Sequence, residues 1–461
     1  MISQQLFPAM RYALAFAQVL LSLGIAAPSF ATLPQRPNIV LFMADDFGYE
    51  CVTANGGQSY QTPHLDRLAA AGVRFESCHV QPLCTPTRVQ LMTGRYNVRN
   101  YLNFGTLPRT ERTFANLLAD AGYATAICGK WQLGKEADAP QHFGFGEAFL
   151  WQHTRRPPRY ANPGLEHDGS EKDFHGGEYG PKLISDFALD FIGRHRDRPF
   201  FLYYPMILTH DPFQPTPDSP DWDPRAIGET VNRNVKHFAD MTAYMDKMIG
   251  RLDARLGELA IRDNTLLMFI GDNGTHGSVT TRFKGAEYRG GKGTTTRRGT
   301  HVPFIASWPA AMKQPRVNRD LISAADFLPT ICEAAGVPVP PGIDGVSFLP
   351  QLRGDKGSPR EWLYCWYSPR QRPDMTVREF AFDHDHKLYR DGKFFALGAD
   401  PFEETPLQTD ALTGAAASAA ARLQDVLARF KDARPPELDR QFEQSPPDQP
   451  APKKMKRNRK K

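Results

Sequence analysis

Four short runs of the chain consist almost entirely of apolar residues, and polar side chains follow each of them. Continuous apolar character over such a short stretch is typical of a strand that is buried on both faces of a parallel sheet. The four runs are Asn38–Ala44, Ala124–Cys128, Phe200–Tyr204 and Thr265–Ile270.

Amphipathic segments with helix start and stop residues lie between these runs. Apolar residues recur at every third or fourth position, and the ends carry Thr-Pro, Thr or Gly. Alternating strands and helices predict an α/β fold with a large, mainly parallel sheet flanked by helices. The predicted helices are Thr62–Gly72, Thr113–Gly122 and a longer one from near Asn234 to Leu256.

The composition of the chain changes after about Gly354. An aromatic-rich segment, a hairpin through Asp-Gly at Lys387–Phe395 and an Ala-rich helix over Ala415–Phe430 predict a smaller antiparallel subdomain. We therefore place a main domain at 32–354 and the subdomain at 355–434. Residues 435–461 are rich in Pro and Gln and then basic, which predicts a disordered tail.

The first 31 residues have the pattern of a signal peptide. Arg11 precedes the apolar stretch Tyr12–Ala27, and small residues flank a cleavage site at Ala31. A membrane anchor is the alternative, but the stretch is short and contains Gln18, and no stop-transfer charges follow. We expect a periplasmic or secreted bacterial protein without a stable membrane span.

Charge and cysteine content narrow the class of protein further. The net charge of the 461 residues is +5, but seven Lys and Arg residues at 453–461, together with Arg11, account for all of that excess. Without these eight basic residues the net charge is −3, so the charge gives no reason to expect nucleic-acid binding. Six cysteines are too sparse to predict a disulfide framework.

The polar residues that follow the predicted strands are candidates for a metal site. Asp45 and Asp46 follow the first run, and Asp272 and Asn273 follow the fourth. Ligands bind where parallel strands end, so we expect these side chains to meet in one crevice. Their oxygens suit Ca²⁺ or Mg²⁺ better than Zn²⁺. Three buried carboxylates repel one another, so we expect the cluster to need such a cation.

The most specific local signal is the Cys-x-Pro-x-Arg motif that begins at Cys84. Thr85 and Pro86 predict the N-cap and first residue of a helix, which Gly94 ends. Cys84 would then lie just before a helix N-terminus, where the helix dipole and Arg88 would stabilise an anion. An isolated Cys is more often a small buried apolar residue, but Pro and Arg at these offsets favour a reactive position.

With this motif the chain resembles the type I sulfatases, the formylglycine-dependent family of the alkaline phosphatase-like superfamily. The resemblance extends over nearly the whole chain after the N-terminal segment, and it rests on five blocks in the same order. It implies an alkaline phosphatase-like fold and a sulfuric ester hydrolase, with residues 32–354 as the catalytic domain. The blocks are Asn38–Gly48, Cys84–Arg95, Gly129–Gly134, Phe269–Gly274 and Gly291–Pro309.

The resemblance also implies the chemistry. A formylglycine-generating maturation enzyme would oxidise Cys84 to Cα-formylglycine, whose hydrated aldehyde is the nucleophile, because its second hydroxyl can expel sulfate. Arg88 would hold the modified side chain, Lys130 and Lys292 would bind the sulfate, and His210 would assist protonation of the leaving group, with Lys292 as the other candidate. The implied ligands of one Ca²⁺ per chain are Asp45, Asp46, Asp272, Asn273 and the modified Cys84.

Two positions depart from the family pattern. Gln132 stands where the family usually has a His that accepts a proton during sulfate release, and a neutral amide cannot replace a base. The block after Lys292 contains Arg297, Arg298 and His301 in place of the usual Glu-Gly-Gly and Arg. We expect His301, water or another group to supply the base.

The sequence leaves the substrate open. Sulfated carbohydrates are the expected substrates by analogy with bacterial relatives. An aryl sulfatase, a phosphonate or phosphodiester hydrolase, and a catalytically silent carbohydrate-binding relative are alternatives. Arg155, Arg156 and Arg159, with Pro157 and Pro158, form a basic loop that would either contact an anionic glycan or be a solvated turn.

Overall fold

The computed structural model describes residues 36–227, 230–371 and 374–444. The predicted signal peptide and the basic end of the predicted tail lie outside these ranges. Within them, no helix has the length and apolar character needed to cross a membrane.

The described elements alternate between strands and helices up to about residue 353. The strands are β1 (Asn38–Ala44), β2 (Val73–His79), β3 (Ala124–Gly129), β4 (Glu147–Trp151), β5 (Gly164–His167), β6 (Ser170–Asp173), β7 (Phe200–Pro205), β8 (Thr265–Gly271), β9 (Thr280–Phe283), β10 (Ala286–Arg289), β11 (Phe304–Ser307), β12 (Arg316–Ser323), β13 (Leu363–Tyr367), β14 (Arg378–Phe382), β15 (His386–Tyr389) and β16 (Phe394–Ala396). The α-helices are α1 (Pro63–Ala71), α2 (Cys84–Thr93), α3 (Phe114–Asp120), α4 (Ala139–His142), α5 (Gly180–Arg194), α6 (His237–Glu258), α7 (Arg297–Thr300), α8 (Phe327–Ala335), α9 (Leu349–Arg353), α10 (Gly414–Arg429) and α11 (Pro436–Gln444).

Ten strands form one mixed sheet in the order β12-β2-β11-β8-β1-β7-β3-β4-β5-β6. The strands β8, β1, β7, β3 and β4 are parallel neighbours, and they include all four predicted runs. The strand β11 runs antiparallel to both β8 and β2, and β5 and β6 extend the opposite edge in antiparallel fashion. The predicted α/β fold with a large, mainly parallel sheet is confirmed.

The central strands are buried because helices cover both faces of the sheet. Along β1, Ile39, Leu41 and Met43 pack with α2, α3 and α8, whereas the intervening residues pack with α1, α5 and α6 on the other face. The predicted helices are present. Thr113 caps α3 with its side chain, which accepts from the backbone N–H groups of Ala115 and Asn116.

The C-terminal part forms a four-stranded antiparallel sheet in the order β13-β14-β15-β16. The predicted hairpin joins β15 to β16, and its turn requires Gly392, whose φ is 90°. This sheet shares a core with the main body, since Tyr364 packs with Tyr96, and Arg360 forms a buried ion pair with Asp326. The boundary at residue 354 remains a prediction.

Two local predictions are wrong. The helix α2 begins at Cys84, with Leu83 at its N-cap, so Thr85 is not the cap and Cys84 lies inside the first turn. Gly94 ends this helix with a φ of 67°, as expected. The chain is also not disordered directly after Pro435, because α11 follows: Leu438 is buried, and Asp439 forms ion pairs with Arg434 and Arg370.

Candidate active site

The ends of β1 and β8 bring the four predicted metal ligands together. Ala44 and Gly271 pair as the last residues of these parallel strands, so Asp45-Asp46 and Asp272-Asn273 leave the sheet side by side. The backbone N–H of Asp46 donates to Asp272 Oδ1 at 3.0 Å, and Asn273 Nδ2 donates to Asp46 Oδ1 at 2.9 Å. All four side chains are fully buried.

Three basic side chains neutralise the three carboxylates of this cluster. Lys130 Nζ lies 2.9 and 2.8 Å from the two oxygens of Asp45. Arg88 Nη2 lies 3.0 Å from Asp272 Oδ2, and Lys292 Nζ lies 2.6 Å from Asp46 Oδ2. Each carboxylate thus has one basic partner that offsets part of the repulsion, and the need for a metal ion stays a prediction.

The pKa values of the carboxylates follow from this arrangement. Burial alone would raise the pKa of Asp45, but Lys130, His210 and Arg88 hold that pKa well below its usual range. Burial would also raise the pKa of Asp46, but Lys292, His210 and Lys130 together lower it. Burial and the charge of Asp45 instead raise the pKa of Asp272 to about 7.

Cys84 is buried at the start of α2 and faces Gln132. Its Sγ donates to Gln132 Oε1 at 3.2 Å. Burial raises the pKa of the Cys84 thiol, although Lys130 and Lys292 oppose this shift. The Arg88 guanidinium donates to Asp272 and to the carbonyl oxygen of Lys130, and its stabilisation of an anion at position 84 stays a prediction.

His210 and Lys292 complete the site. Lys292 Nζ lies 3.2 Å from His210 Nε2, which lies 3.8 Å from Asp46 Oδ2. His210 Nδ1 lies 2.7 Å from the carbonyl oxygen of Asp211, which can only accept. His210 is therefore the Nδ1–H tautomer, and its Nε2 accepts from the Lys292 ammonium. The structure thus brings every predicted catalytic and metal-binding residue into one crevice.

The same cluster has the properties of a hard-cation site. Asn273 Oδ1 is buried and has no hydrogen-bond partner within the described structure. Asp45, Asp46 and His210 also offer ligand atoms that lie within 4.8 Å of one another. Buried carboxylate and amide oxygens are the donors that Ca²⁺ and Mg²⁺ take. The residues present therefore fit a bound divalent cation.

Comparisons with known proteins decide the family. The family model for Sulfatase matches residues 37–337, and that for the N-sulphoglucosamine sulphohydrolase C-terminal region matches residues 294–426. The chain belongs to the sulfatase family. It is a sulfuric ester hydrolase, as the Cys84 motif and the order of the five blocks predicted.

Individual relatives cover most of this sulfatase. It is 33% identical to arylsulfatase A of Homo sapiens over 401 residues, covering 78% of this chain and 76% of that protein. It is 32% identical to N-acetylgalactosamine-6-sulfatase of Canis lupus familiaris over 454 residues, covering 85% of each. A structure solved with its substrate, D-glucosamine-2-N,6-O-disulfate, superposes with a TM-score of 0.69 at 23% identity, covering 90% of this chain and 100% of that one.

The residues that depart from the family pattern lie partly outside the crevice. The ring of His301 stacks between Tyr49 and His79, at centroid distances of 4.1 and 4.9 Å, and its Nε2 contacts the carbonyl oxygen of Glu76. Burial lowers the pKa of His301 to about 3. The expectation that His301 could replace the missing base at Gln132 is therefore wrong. Arg298 stacks on Phe402 at 3.6 Å.

A cavity of about 500 Å³ opens beside the predicted catalytic residues of the sulfatase. It includes three of the predicted site residues and two of the three arginines of the predicted basic loop. Arg155 does not line it, since its guanidinium binds Glu171 and Asp173 instead. The lining residues are Phe104, Lys130, Gln132, Trp151, Arg156, Pro157, Pro158, Arg159, Tyr160, His210, Pro212, Gln214 and Arg233.

Sequence reasoning missed several of these lining residues. Arg233 lies in a loop without a recognisable motif, so no local signal could have placed it beside His210. Tyr160 follows the basic loop, and its hydroxyl lies within hydrogen-bond distance of the carbonyl oxygens of Ile207 and His210. Pro157 and Pro158 indicate that this loop has a restricted backbone conformation, but they do not indicate which residues it contacts.

Proposed function

We propose that this sulfatase hydrolyses sulfate esters of carbohydrates, with formylglycine derived from Cys84 as nucleophile and one Ca²⁺ ion as cofactor. The observation that carries the proposal is the position of Cys84 in one crevice with Lys130, Lys292 and His210. The names of the relatives support the substrate class: one acts on an N-acetylgalactosamine 6-sulfate, and one was solved with a disulfated glucosamine.

Asp45, Asp46, Asp272 and Asn273 would hold the cation. When bound, the cation would supply a positive charge that lowers the pKa of the attacking hydroxyl and polarises a sulfate oxygen. Arg88 fixes the orientation of Asp272 through its 3.0 Å ion pair, and it ties α2 to β3 through the carbonyl of Lys130. Arg88 therefore fixes the position of the nucleophile relative to the metal ligands.

Lys130 and Lys292 bind the sulfate group in this proposal. Lys130 donates to both oxygens of Asp45, and Lys292 donates to Asp46 and His210, so each ammonium keeps one of its three hydrogens for a sulfate oxygen. Their positive charge stabilises the negative charge that develops on those oxygens.

Proton transfer to the leaving oxygen falls to His210 and Lys292. The Nδ1–H tautomer directs the unprotonated Nε2 into the cavity, where it accepts from Lys292 Nζ. Lys292 Nζ therefore holds the proton closest to the leaving group, and His210 relays or orients it. Asp211, whose pKa is lowered chiefly by its hydrogen bond to His210, helps to fix this ring.

Gln132 positions the nucleophile but does not act as a base. Its Oε1 accepts from the side chain at position 84, and an amide oxygen binds a proton only far below neutral pH. Water in the cavity then accepts the proton that the family's usual His would take.

The signal-peptide pattern supports export to the periplasm or the outside of a bacterial cell. Maturation then requires a formylglycine-generating enzyme that acts on the Cys84 motif before α2 folds, because Cys84 is buried in the folded chain. The division into domains at 32–354 and 355–434 belongs to the same proposal.

Hydrolysis assays test the proposal directly. Wild type should release sulfate from 4-nitrophenyl sulfate and from sulfated monosaccharides, with much lower turnover of 4-nitrophenyl phosphate and of a phosphodiester. Cys84→Ala should be inactive on all of them, because no nucleophile remains. Faster turnover of the phosphodiester would instead assign a phosphodiester hydrolase, and equal activity in Cys84→Ala would exclude the nucleophile.

A further inference from the structure

We propose that the cavity beside Cys84 binds a second anionic group of the substrate, a sulfate or carboxylate on the sugar that carries the scissile sulfate or on its neighbour. Arg156, Arg159 and Arg233 would be the ligands of that group. The inference rests on the proposed function, because it defines the substrate class of the same site.

The cavity is lined by more basic side chains than the binding of one sulfate ester requires. Lys130 lies at its catalytic end and shares the scissile sulfate with Lys292, whereas three further arginines line the rest of the wall. Among the described lining residues, none is Asp or Glu. A sulfate monoester carries a single negative charge, so a wall that is this rich in arginine favours a substrate with a further anionic group.

Arg159 is the arginine of this wall whose contacts favour an anionic ligand. Its guanidinium lies 4.1 Å from the ring centroid of Trp151, which fixes its plane. Its Nη1 is buried and has no hydrogen-bond partner within the described structure. Buried donors are almost always paired in folded proteins, so this atom is a candidate ligand for a bound oxyanion.

The loop that carries Arg156 and Arg159 is held in place by its neighbours. Trp151 Nε1 donates to the carbonyl of Pro157 at 2.8 Å, and Gly164 N donates to that of Pro158 at 3.0 Å. Tyr160 donates to the carbonyl of Ile207 at 2.8 Å, which ties this loop to the segment bearing His210. A rigid loop spends little conformational entropy when it binds a ligand, which favours selectivity.

Arg156 connects this wall to the nucleophile. Arg156 lies close to Gly105, since a Cβ atom added to this glycine would be 3.8 Å from Arg156 Nη2. The backbone N–H of Gly105 donates a hydrogen bond to Thr85 Oγ1 at 3.2 Å. Thr85 follows Cys84 directly. The segment at Gly105 therefore adjoins both Arg156 and the start of the helix that carries Cys84.

Arg155 offers a matched control on the same loop. Its guanidinium lies 2.7 Å from Glu171 and 2.9 Å from Asp173, it is half exposed, and it does not line the cavity. Loss of its charge changes the net charge of the protein as much as loss of Arg156 does. A difference in substrate binding between the Arg155 and Arg156 variants would therefore indicate a specific subsite.

The test measures binding and hydrolysis with sugars that differ by one anionic group. The first pair is glucosamine 6-sulfate with and without an N-sulfate, and the second is N-acetylgalactosamine 6-sulfate with and without an attached glucuronate. Each is titrated calorimetrically against the full-length protein and assayed as a competitor of 4-nitrophenyl sulfate. Wild type should bind the member with two anionic groups at least about tenfold more tightly in one pair.

The variants assign that preference to the arginines. Arg156→Gln, Arg159→Gln and Arg233→Gln should each reduce it by about tenfold, Arg159→Lys should restore part of it, and Arg155→Gln should retain it. Preference within the first pair identifies a second sulfate, and preference within the second pair identifies a carboxylate.

Different outcomes would contradict the proposed subsite and the proposed function. Equal binding within both pairs by wild type, or an equal loss in Arg155→Gln, would overturn the subsite even if sulfate esters are hydrolysed. Tight, arginine-dependent binding without hydrolysis of any sulfate ester would keep the subsite and contradict the proposed function.

Discussion

Cys84 Sγ donates a hydrogen bond to Gln132 Oε1 at 3.2 Å, so the residue that departs from the family pattern contacts the side chain that we propose as the precursor of the nucleophile. An amide at this point orients the side chain at position 84 without accepting its proton. We expect Gln132→Ala to lower kcat by about tenfold, because one positioning hydrogen bond is lost.

Gln132→His separates orientation from base catalysis. It should match or exceed the wild-type kcat and add a His titration to the acidic limb of the pH–rate profile. Steady-state and rapid-quench assays of 4-nitrophenyl sulfate measure both variants, with the exposed Gln141→Ala as control. Wild-type kinetics in Gln132→Ala would remove this residue from the mechanism.

Lys130→Met should destabilise the fold as well as abolish activity. Lys130 and Asp45 are both almost fully buried, so loss of the ammonium leaves an unpaired carboxylate in the interior. The expected cost is about 3 kcal/mol in the free energy of unfolding, measured by urea denaturation. Lys135→Met, at an exposed position five residues on, should cost less than about 0.5 kcal/mol.

A double variant checks the cause of that loss. Lys130→Met combined with Asp45→Asn should recover part of the stability, since the buried charge is removed with its partner. A single variant as stable as wild type would show that the ion pair contributes nothing to the fold.

Removal of the divalent cation should abolish activity but not folding. Arg88, Lys130 and Lys292 neutralise the carboxylates, so the melting temperature should fall by only a few degrees after chelation. Calorimetric titration of the chelated protein with Ca²⁺ should show one site per chain. Unfolding on chelation would mean that the three basic side chains do not offset the carboxylates.

Two clusters of potential ligands provide an internal comparison for this titration. Asp45→Asn should abolish Ca²⁺ binding, whereas Asp221→Asn, in the separate group formed with His237 and Asp240, should leave it intact. The reverse outcome would move the cation site to the second cluster.

The His79–His301 pair should make the protein sensitive to acid. Burial lowers the pKa of His301 from 6.5 to about 3 and that of His79 well below its usual value. The unfolded chain therefore takes up protons first, so stability present above pH 6.5 is lost as pH falls toward 3. His301→Gln should reduce the loss in unfolding free energy between pH 7 and pH 5 by about 1–2 kcal/mol.

The exposed His175→Gln is the control for this pH dependence. Urea denaturation at the two pH values measures all three proteins. An identical pH slope in His301→Gln and wild type would show that His301 is already accessible to protons in the folded state.

The parallel centre of the fold was predictable because strands that are buried on both faces appear in the sequence as continuous apolar runs. The run Asn38–Ala44 matches β1 at both ends, and Asp45 and Asp46 follow it as expected. The strand β2 escaped prediction because it alternates apolar residues with Arg74 and Glu76, and β5 and the edge strand β6 have only four residues each. Edge strands owe their pairing to neighbours that are distant in sequence.

The candidate site was predictable only as far as local motifs and the family pattern reached. Each strand end placed its own residues correctly. The one-to-one pairing of Lys130, Arg88 and Lys292 with the carboxylates depends on distances between elements that sequence does not give. The same holds for Arg233, which reaches the cavity from a loop without a pattern, and for His301, which stacks between aromatic rings instead of facing Gln132.

The mass of the peptide that contains Cys84 tests the central claim most directly. Samples of the full-length protein, prepared with and without a co-expressed formylglycine-generating enzyme, are digested and analysed by mass spectrometry, and each is assayed on 4-nitrophenyl sulfate. The account predicts that the peptide carries an aldehyde in place of the thiol, and that specific activity rises in proportion to the converted fraction. Full activity in protein whose Cys84 is entirely an unmodified thiol would contradict it.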